Sequence, residues 1–400
     1  MVAETSVAQP YPRRFRSAPE RSARIARPLG LIARVREPDE SLIAELGRRM
    51  TTRDETGARL ARAMRRDAPD RVTMRAFHQA LAAGGPPADA PAPLREFFAS
   101  VSPEPPWLDR DLLERGGRAY RRLGRSRDDV LLGLSLIGGY RYGGPTELLV
   151  RTGGLTGEGA MRRLGETQAW GFAVSRPGGM ERGGEGWRTT VHVRAMHALV
   201  ADRYERDWDT GEHGLPINQS DLAATLGLFN STAILGCRLL GRHVSRTESD
   251  AIMHLWRYVG WLMGVDADWL FDTEREQNAF NHHVLLAQGD VTPNGARLTE
   301  ALVEGVRAER PGWCGRWARR RLLSLLRVFL RAEGMRDLAL PVTAPWIVPS
   351  QVLRNLVASL VVARSRRGRR WLEEHSDRRV RAELARRFGP ASPGPRDLAA

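Results

Sequence analysis

His197 sits in the middle of an apolar helical stripe, and it is the residue of this chain best suited to hold a metal. At helical period, residues 189–204 place Val193, Met196, His197, Val200, Ala201 and Tyr204 on one face. An imidazole there has two uses. Bonded to a carbonyl it is an ordinary core residue, and with a lone pair free it is a ligand. Upstream, Arg163 and Thr167 stand one turn apart, so both side chains leave the same helical face and can reach a common site. A non-covalent haem b pocket requires an imidazole for iron, a hydrogen-bonding group that orients the surroundings, an apolar wall and cations for the propionates. His197, Thr167, the Val193/Met196/Val200 stripe and Arg163 can supply these four.

The elements that must position these groups are helical. Asn218 or Ser220 with Asp221 offers cap chemistry for a helix whose buried stripe is Leu222, Leu226, Phe229, Ala233 and Cys237. Ser41 can cap a helix carrying Leu42, Ile43, Leu46 and Met50, Asp111 opens one through Tyr120, and Asp128 opens another through Ile137. Gly138, Gly139, Gly143 and Gly144 loosen the chain before Pro145, which places Thr146-Glu147-Leu148-Leu149 near a helix start. Further helices are expected over 249–263, 299–308, 322–332 and 351–388. The glycine-rich run 172–187 is the one place for a short hairpin. The expected fold is all-α: a solvated basic arm at 1–38, one helical domain at 39–375 and a basic tail at 376–400. The Gly/Pro-rich stretch 84–93 is a turn or linker within it.

Composition excludes several alternatives. With 400 residues, 42% of them hydrophobic, the chain can bury a full core. All 62 basic residues are arginine, and they are spread along the chain among 47 acidic ones, so the net charge of +15 does not point to a nucleic-acid surface. The run Arg364-Ser365-Arg366-Arg367-Gly368-Arg369-Arg370-Trp371 reads as a solvated helix end, with contact to an anionic membrane surface as the alternative. Two cysteines, Cys237 and Cys314, cannot build a disulfide framework or a c-type haem attachment. Arg13-Arg14 is not followed by an apolar segment, and the weakly charged runs 130–140 and 222–237 are short for a bilayer span. A cytoplasmic location is expected. Metalloprotease, P-loop and nucleophile-elbow motifs are missing, and the adjacent His282 and His283 point about 100° apart on a helix, which suits surface residues.

Four segments carry a resemblance: Arg163-x-x-x-Thr167, the helix from Val191 through His197 to Val200, Pro216-Ile217-Asn218-Gln219-Ser220-Asp221-Leu222-Ala223, and Pro106-Trp107-Leu108-Asp109. Together they resemble the latex clearing proteins, or rubber oxygenases, and the MpaB-type oxygenases, over roughly residues 40–345. The resemblance implies an all-helical fold around one haem b, with His197 as proximal ligand and Arg163 and Thr167 beside the cofactor. It also implies an acidic residue sixteen positions before the arginine, where Glu147 stands, acting as the base that removes an allylic proton while dioxygen attacks a carbon–carbon double bond. Read by itself, Glu147 is a first-turn acid favoured by the helix dipole.

One departure from the resemblance bears on the substrate. Rubber-cleaving members carry a lysine directly before the threonine, and this chain has Glu166. A small apolar unsaturated molecule, isoprenoid-like, is therefore expected rather than polyisoprene. The rivals are a haem protein of the same fold with non-oxygenative chemistry, and a basic helical protein that binds nucleic acid or a membrane without catalysis.

Overall fold

The computed structural model describes residues 11–153 and 158–389, and every regular element among them is helical. Local capping sets many of the boundaries. Asp39 accepts from the amides of Ser41 and Leu42 to begin Glu40–Arg49, and Asp109 accepts from Leu112 to begin Arg110–Arg122. Asn218 caps Gln219–Phe229 through the amide of Asp221. Full capping boxes, Ser245 with Glu248 and Thr273 with Glu276, start Arg246–Leu262 and Glu274–Ala287.

Close helix crossings then build one helical domain. Arg110–Arg122 crosses Arg246–Leu262 at Gly116, where an added Cβ would stand 2.2 Å from the Ala251 carbonyl oxygen. Only a glycine lets the two backbones approach so closely. Tyr120 and Trp256, both fully buried, meet edge to face across this crossing with ring centroids 5.3 Å apart. Glu185–Tyr204, the helix of His197, packs between Glu55–Ala63 and Glu158–Ser175.

Several elements differ from the expectations drawn from sequence. The expected arm contains the helix Pro19–Ala33, which lies along Glu274–Ala287. Its inward face is Ser22, Ala26, Gly30 and Ala33, small residues that bury backbone against backbone without an apolar run, so composition gave no sign of it. Residues 1–10 lie outside the described residues. The expected tail boundary at 375 falls inside Arg366–Phe388, whose Val380 and Leu384 pack on Phe172. No hairpin forms at 172–187; a glycine turn joins Glu158–Ser175 to Glu185–Tyr204. The single helix expected over 351–388 is two, Val348–Leu360 and Arg366–Phe388.

His282 and His283 are buried rather than at the surface. His282 Nδ1 lies 3.1 Å from the Ala26 carbonyl oxygen, and the Asp39 amide donates to His283 Nε2 at 2.9 Å. The two rings serve two different neighbours, which is what their divergence on the helix allows. Gln219–Leu239 is long and apolar enough by length and composition to cross a bilayer, a longer stretch than the sequence reading took. It is bent at Asn230 (φ −99°, ψ −96°) and more than half buried within the domain, as a core helix is.

Candidate functional site

A cavity of about 1250 Å³ runs through the domain. That exceeds the range of roughly 300–1,000 Å³ usual for small-molecule pockets. Its walls come from the His197 helix, Glu158–Ser175, Gln219–Phe229 and the segment Leu131–Ile137, which is wound as a π-helix. π-Turns within helices recur at functional sites. Here the wide turn presents Leu131, Leu132, Leu134 and Leu136 to the cavity, while Ser135 Oγ ties it to the Leu228 carbonyl at 2.9 Å.

His197, Arg163, Thr167 and the Val193/Met196/Val200 stripe all line this one cavity. The His197 Nδ1 atom is buried with no hydrogen-bond partner among the described residues. Burial lowers the imidazole pKa to about 4, against the opposing pull of Asp54. The ring is thus neutral at physiological pH, with a lone pair to offer. His197 also lines a second cavity of about 30 Å³, large enough for water, together with Asp54 and Arg194 among others. Asp54 accepts from Arg194 Nε at 2.7 Å and Nη2 at 2.8 Å, and also caps Glu55–Ala63.

The Arg163 side chain makes no ion pair among the described residues, and its charge acts on the buried phenol of Tyr140. Thr167 Oγ1 donates to the Arg163 carbonyl at 3.0 Å, which fixes the hydroxyl rotamer on the same face. Glu166 also lines the cavity, but its Oε1 accepts from Arg162 Nε at 2.9 Å. Glu147 lies apart from this group. Its neighbours Thr146, Leu148 and Leu149 line the cavity, whereas its own carboxylate accepts from Asn294 Nδ2 at 2.5 Å and lies near His213.

The model of the family described as ER-bound oxygenase mpaB/B'/Rubber oxygenase, catalytic domain, matches residues 126–363. The chain belongs to this oxygenase family. A rubber oxygenase of Streptomyces sp. (strain K30) is 26% identical over 227 residues, 56% of this chain and 55% of that protein. The chain thus spans about half the length of the curated relative it matches. The structure of a latex clearing protein in the closed state superposes with a TM-score of 0.65 and 21% identity, covering 83% of this chain and 90% of that one. The second likeness is one of fold.

For a member of this family, the residues present fit haem b. Among the described residues no cluster of three or more His, Cys, Asp or Glu could hold a bare metal ion. The neutral imidazole could hold the iron, the apolar stripe could face the macrocycle, and the Arg163 guanidinium, in no ion pair among the described residues, could meet a propionate. The Pro216–Ala223 segment, by contrast, works mainly as a clamp. Asp221 accepts from Arg14 at 2.7 Å and from Asn218 at 2.8 Å, Ser220 Oγ donates to the Leu46 carbonyl at 2.6 Å, and Gln219 donates to Gly264 at 2.9 Å. Sequence reasoning missed Asp54 and Arg14, because no local pattern marks a partner across more than a hundred residues, and it read the π-wound segment as part of an ordinary helix from Asp128 through Ile137.

Proposed function

We propose that this family member is a haem b-dependent oxygenase that uses dioxygen to oxidise or cleave a carbon–carbon double bond in a small, apolar, isoprenoid-like substrate. The observation that carries the reading is the neutral imidazole of His197, its Nδ1 without a partner among the described residues, on the apolar wall of a cavity large enough for a macrocycle and a substrate together. Haem b, when bound, supplies the redox-active iron on which dioxygen is activated.

The chain's own residues have separable tasks in this reading. His197 would hold the iron, with Val193 and Val200 of the same helix lining the cavity beside it. Arg163 holds a propionate, and Thr167 fixes the adjoining turn of the same helix. The leucines of the π-helix and Phe229 exclude water and seat an apolar chain. Glu147 is the base, and it reaches substrate only once its hydrogen bond to Asn294 opens. Gly144, at φ +87°, begins the short helix Pro145–Arg151 that would carry this movement. Glu166, tied to Arg162, leaves the position before Thr167 without an amine, which supports a substrate other than polyisoprene.

The test is a visible spectrum of the chain purified from haem-supplemented cells, oxidised and then reduced under carbon monoxide. The expected result is near one haem per chain with a Soret band that shifts with carbon monoxide, followed by isotope-labelled oxygen in the product. A folded, colourless chain that takes up no added haem would overturn the reading. A haem protein whose product contains no oxygen from dioxygen would move it to the non-oxygenative alternative.

A further inference from the structure

The helix Val348–Leu360 is inverted. Its inward side carries polar anchors beside Val348 and Val352: Gln351 Nε2 donates to Asp129 at 2.9 Å, Asn355 Nδ2 donates to the Leu240 carbonyl at 2.6 Å, and Ser359 Oγ accepts from the His243 amide at 3.1 Å. Its outward face is apolar. Leu353, Leu356, Val357 and Leu360 follow the i, i+3, i+4, i+7 pattern with Val361 after them, and Leu353 and Val361 are 64% and 65% exposed. A folded chain does not gain by presenting such a stripe to water, so the face has an apolar partner.

Charge identifies that partner. From 338 to 372 the chain contains no Asp or Glu and six arginines, Arg354, Arg364, Arg366, Arg367, Arg369 and Arg370. Among the described residues, 11–153 and 158–389, none of the six is in an ion pair, although most other arginines in the second half of Arg366–Phe388 are. Trp371, half exposed, closes the segment. A leucine and valine stripe flanked by arginines without a carboxylate partner among the described residues, and by a tryptophan, is the composition of a helix lying in an anionic lipid interface. A second copy would set six like charges against six, and nucleic acid would leave the apolar stripe uncovered.

We infer that Val348–Leu360 and the arginines after it dock the protein on an anionic bilayer surface. The patch adjoins the cavity. Leu239, 52% exposed, lines the cavity and directly precedes Leu240, whose carbonyl anchors Asn355. An apolar substrate dissolved in the bilayer therefore has a short route to the cavity. This inference is independent of haem, because membrane docking is read on the chain with or without cofactor.

The experiment is co-sedimentation of the full chain with sucrose-loaded vesicles of phosphatidylglycerol and phosphatidylcholine in equal parts, or of phosphatidylcholine alone. Two triple variants are compared, Leu353→Ser/Val357→Ser/Leu360→Ser and Arg366→Gln/Arg367→Gln/Arg370→Gln, all at exposed or rim positions. Partition into anionic vesicles is expected to exceed that into neutral ones by at least tenfold, and each triple variant to lose at least tenfold with unchanged circular dichroism. No binding to anionic vesicles, or full binding by the leucine-face variant, would overturn the inference. So would a wild-type dimer that the leucine-face variant converts to monomer in lipid-free buffer, or tight duplex DNA binding that this variant retains.

Discussion

Asp54, the cap of Glu55–Ala63, forms a two-bond ion pair, 2.7 and 2.8 Å, with Arg194, which stands about one turn before His197 on the helix Glu185–Tyr204. Both side chains are largely buried, and the pair lines the same water-sized cavity as His197. Removing one partner of a buried pair leaves an uncompensated charge, which costs about 3–5 kcal/mol. Asp54→Ala is expected to lower stability by that order in urea denaturation. Asp54→Asn, which retains the cap, is expected to speed haem loss by about 10–100-fold, as changes behind a metal-bound imidazole do. Unchanged haem retention in Asp54→Asn would separate the pair from the site.

His197→Ala is expected to keep its helical circular dichroism and lose the Soret band. Arg163→Gln is expected to bind haem about tenfold to a hundredfold more weakly, the scale of one charge-assisted hydrogen bond of about 1.5–3 kcal/mol. Haem titration of both variants checks this, and equal affinity in Arg163→Gln would remove its role at a propionate.

For Glu147, held by Asn294 at 2.5 Å, the proposed role as base has a distinct signature. Glu147→Gln is expected to retain haem and lose turnover by at least a factor of about 100. Asn294→Ala frees the carboxylate and is expected to keep turnover at or above the wild-type rate. Full oxygen uptake by Glu147→Gln would show that another group accepts the proton.

Burial raises the Asp337 carboxyl pKa, but hydrogen bonds from Arg21 and Arg141 outweigh it and hold the group below its ordinary 3.8. A folded-state value below the unfolded one gives stability that is present above about pH 4 and is lost as pH falls through the folded value. Asp337→Asn is expected to cost about 3 kcal/mol at pH 7 and to flatten the acid limb of the stability curve. A variant as stable as wild type at pH 7 would show that the arginines find other partners.

Gly116→Val would drive a side chain into the Ala251 carbonyl, which an added Cβ already approaches to 2.2 Å. The expected loss is at least about 1–3 kcal/mol, as for overpacking, read as a lowered melting temperature. A wild-type melting temperature would mean that the two helices can part there without penalty.

How far the sequence carried is best seen residue by residue. The period of Val193, Met196, His197 and Val200 and the four-residue step from Arg163 to Thr167 were both legible, and each states a near-neighbour fact about one helix. The structure brings those residues to one cavity. The Asn218 cap was legible for the same reason, since cap and amide are three residues apart. The buried face of Pro19–Ala33 was not, because small residues that pack by close approach leave no hydrophobic signal.

By itself, then, the amino-acid order determined a helical chain with an imidazole on an apolar stripe and a cation one turn from a hydroxyl, since propensity, capping and period act within a few residues. Tertiary structure alone decided that Glu147 turns to Asn294, that Arg14 closes on Asp221 across 207 positions, that Asp54 and Arg194 pair at a small cavity lined by His197, and that Val348–Leu360 faces outward with its leucines. Those outcomes depend on which distant carbonyl or carboxylate satisfies each buried polar group, a competition settled only when the whole domain is packed.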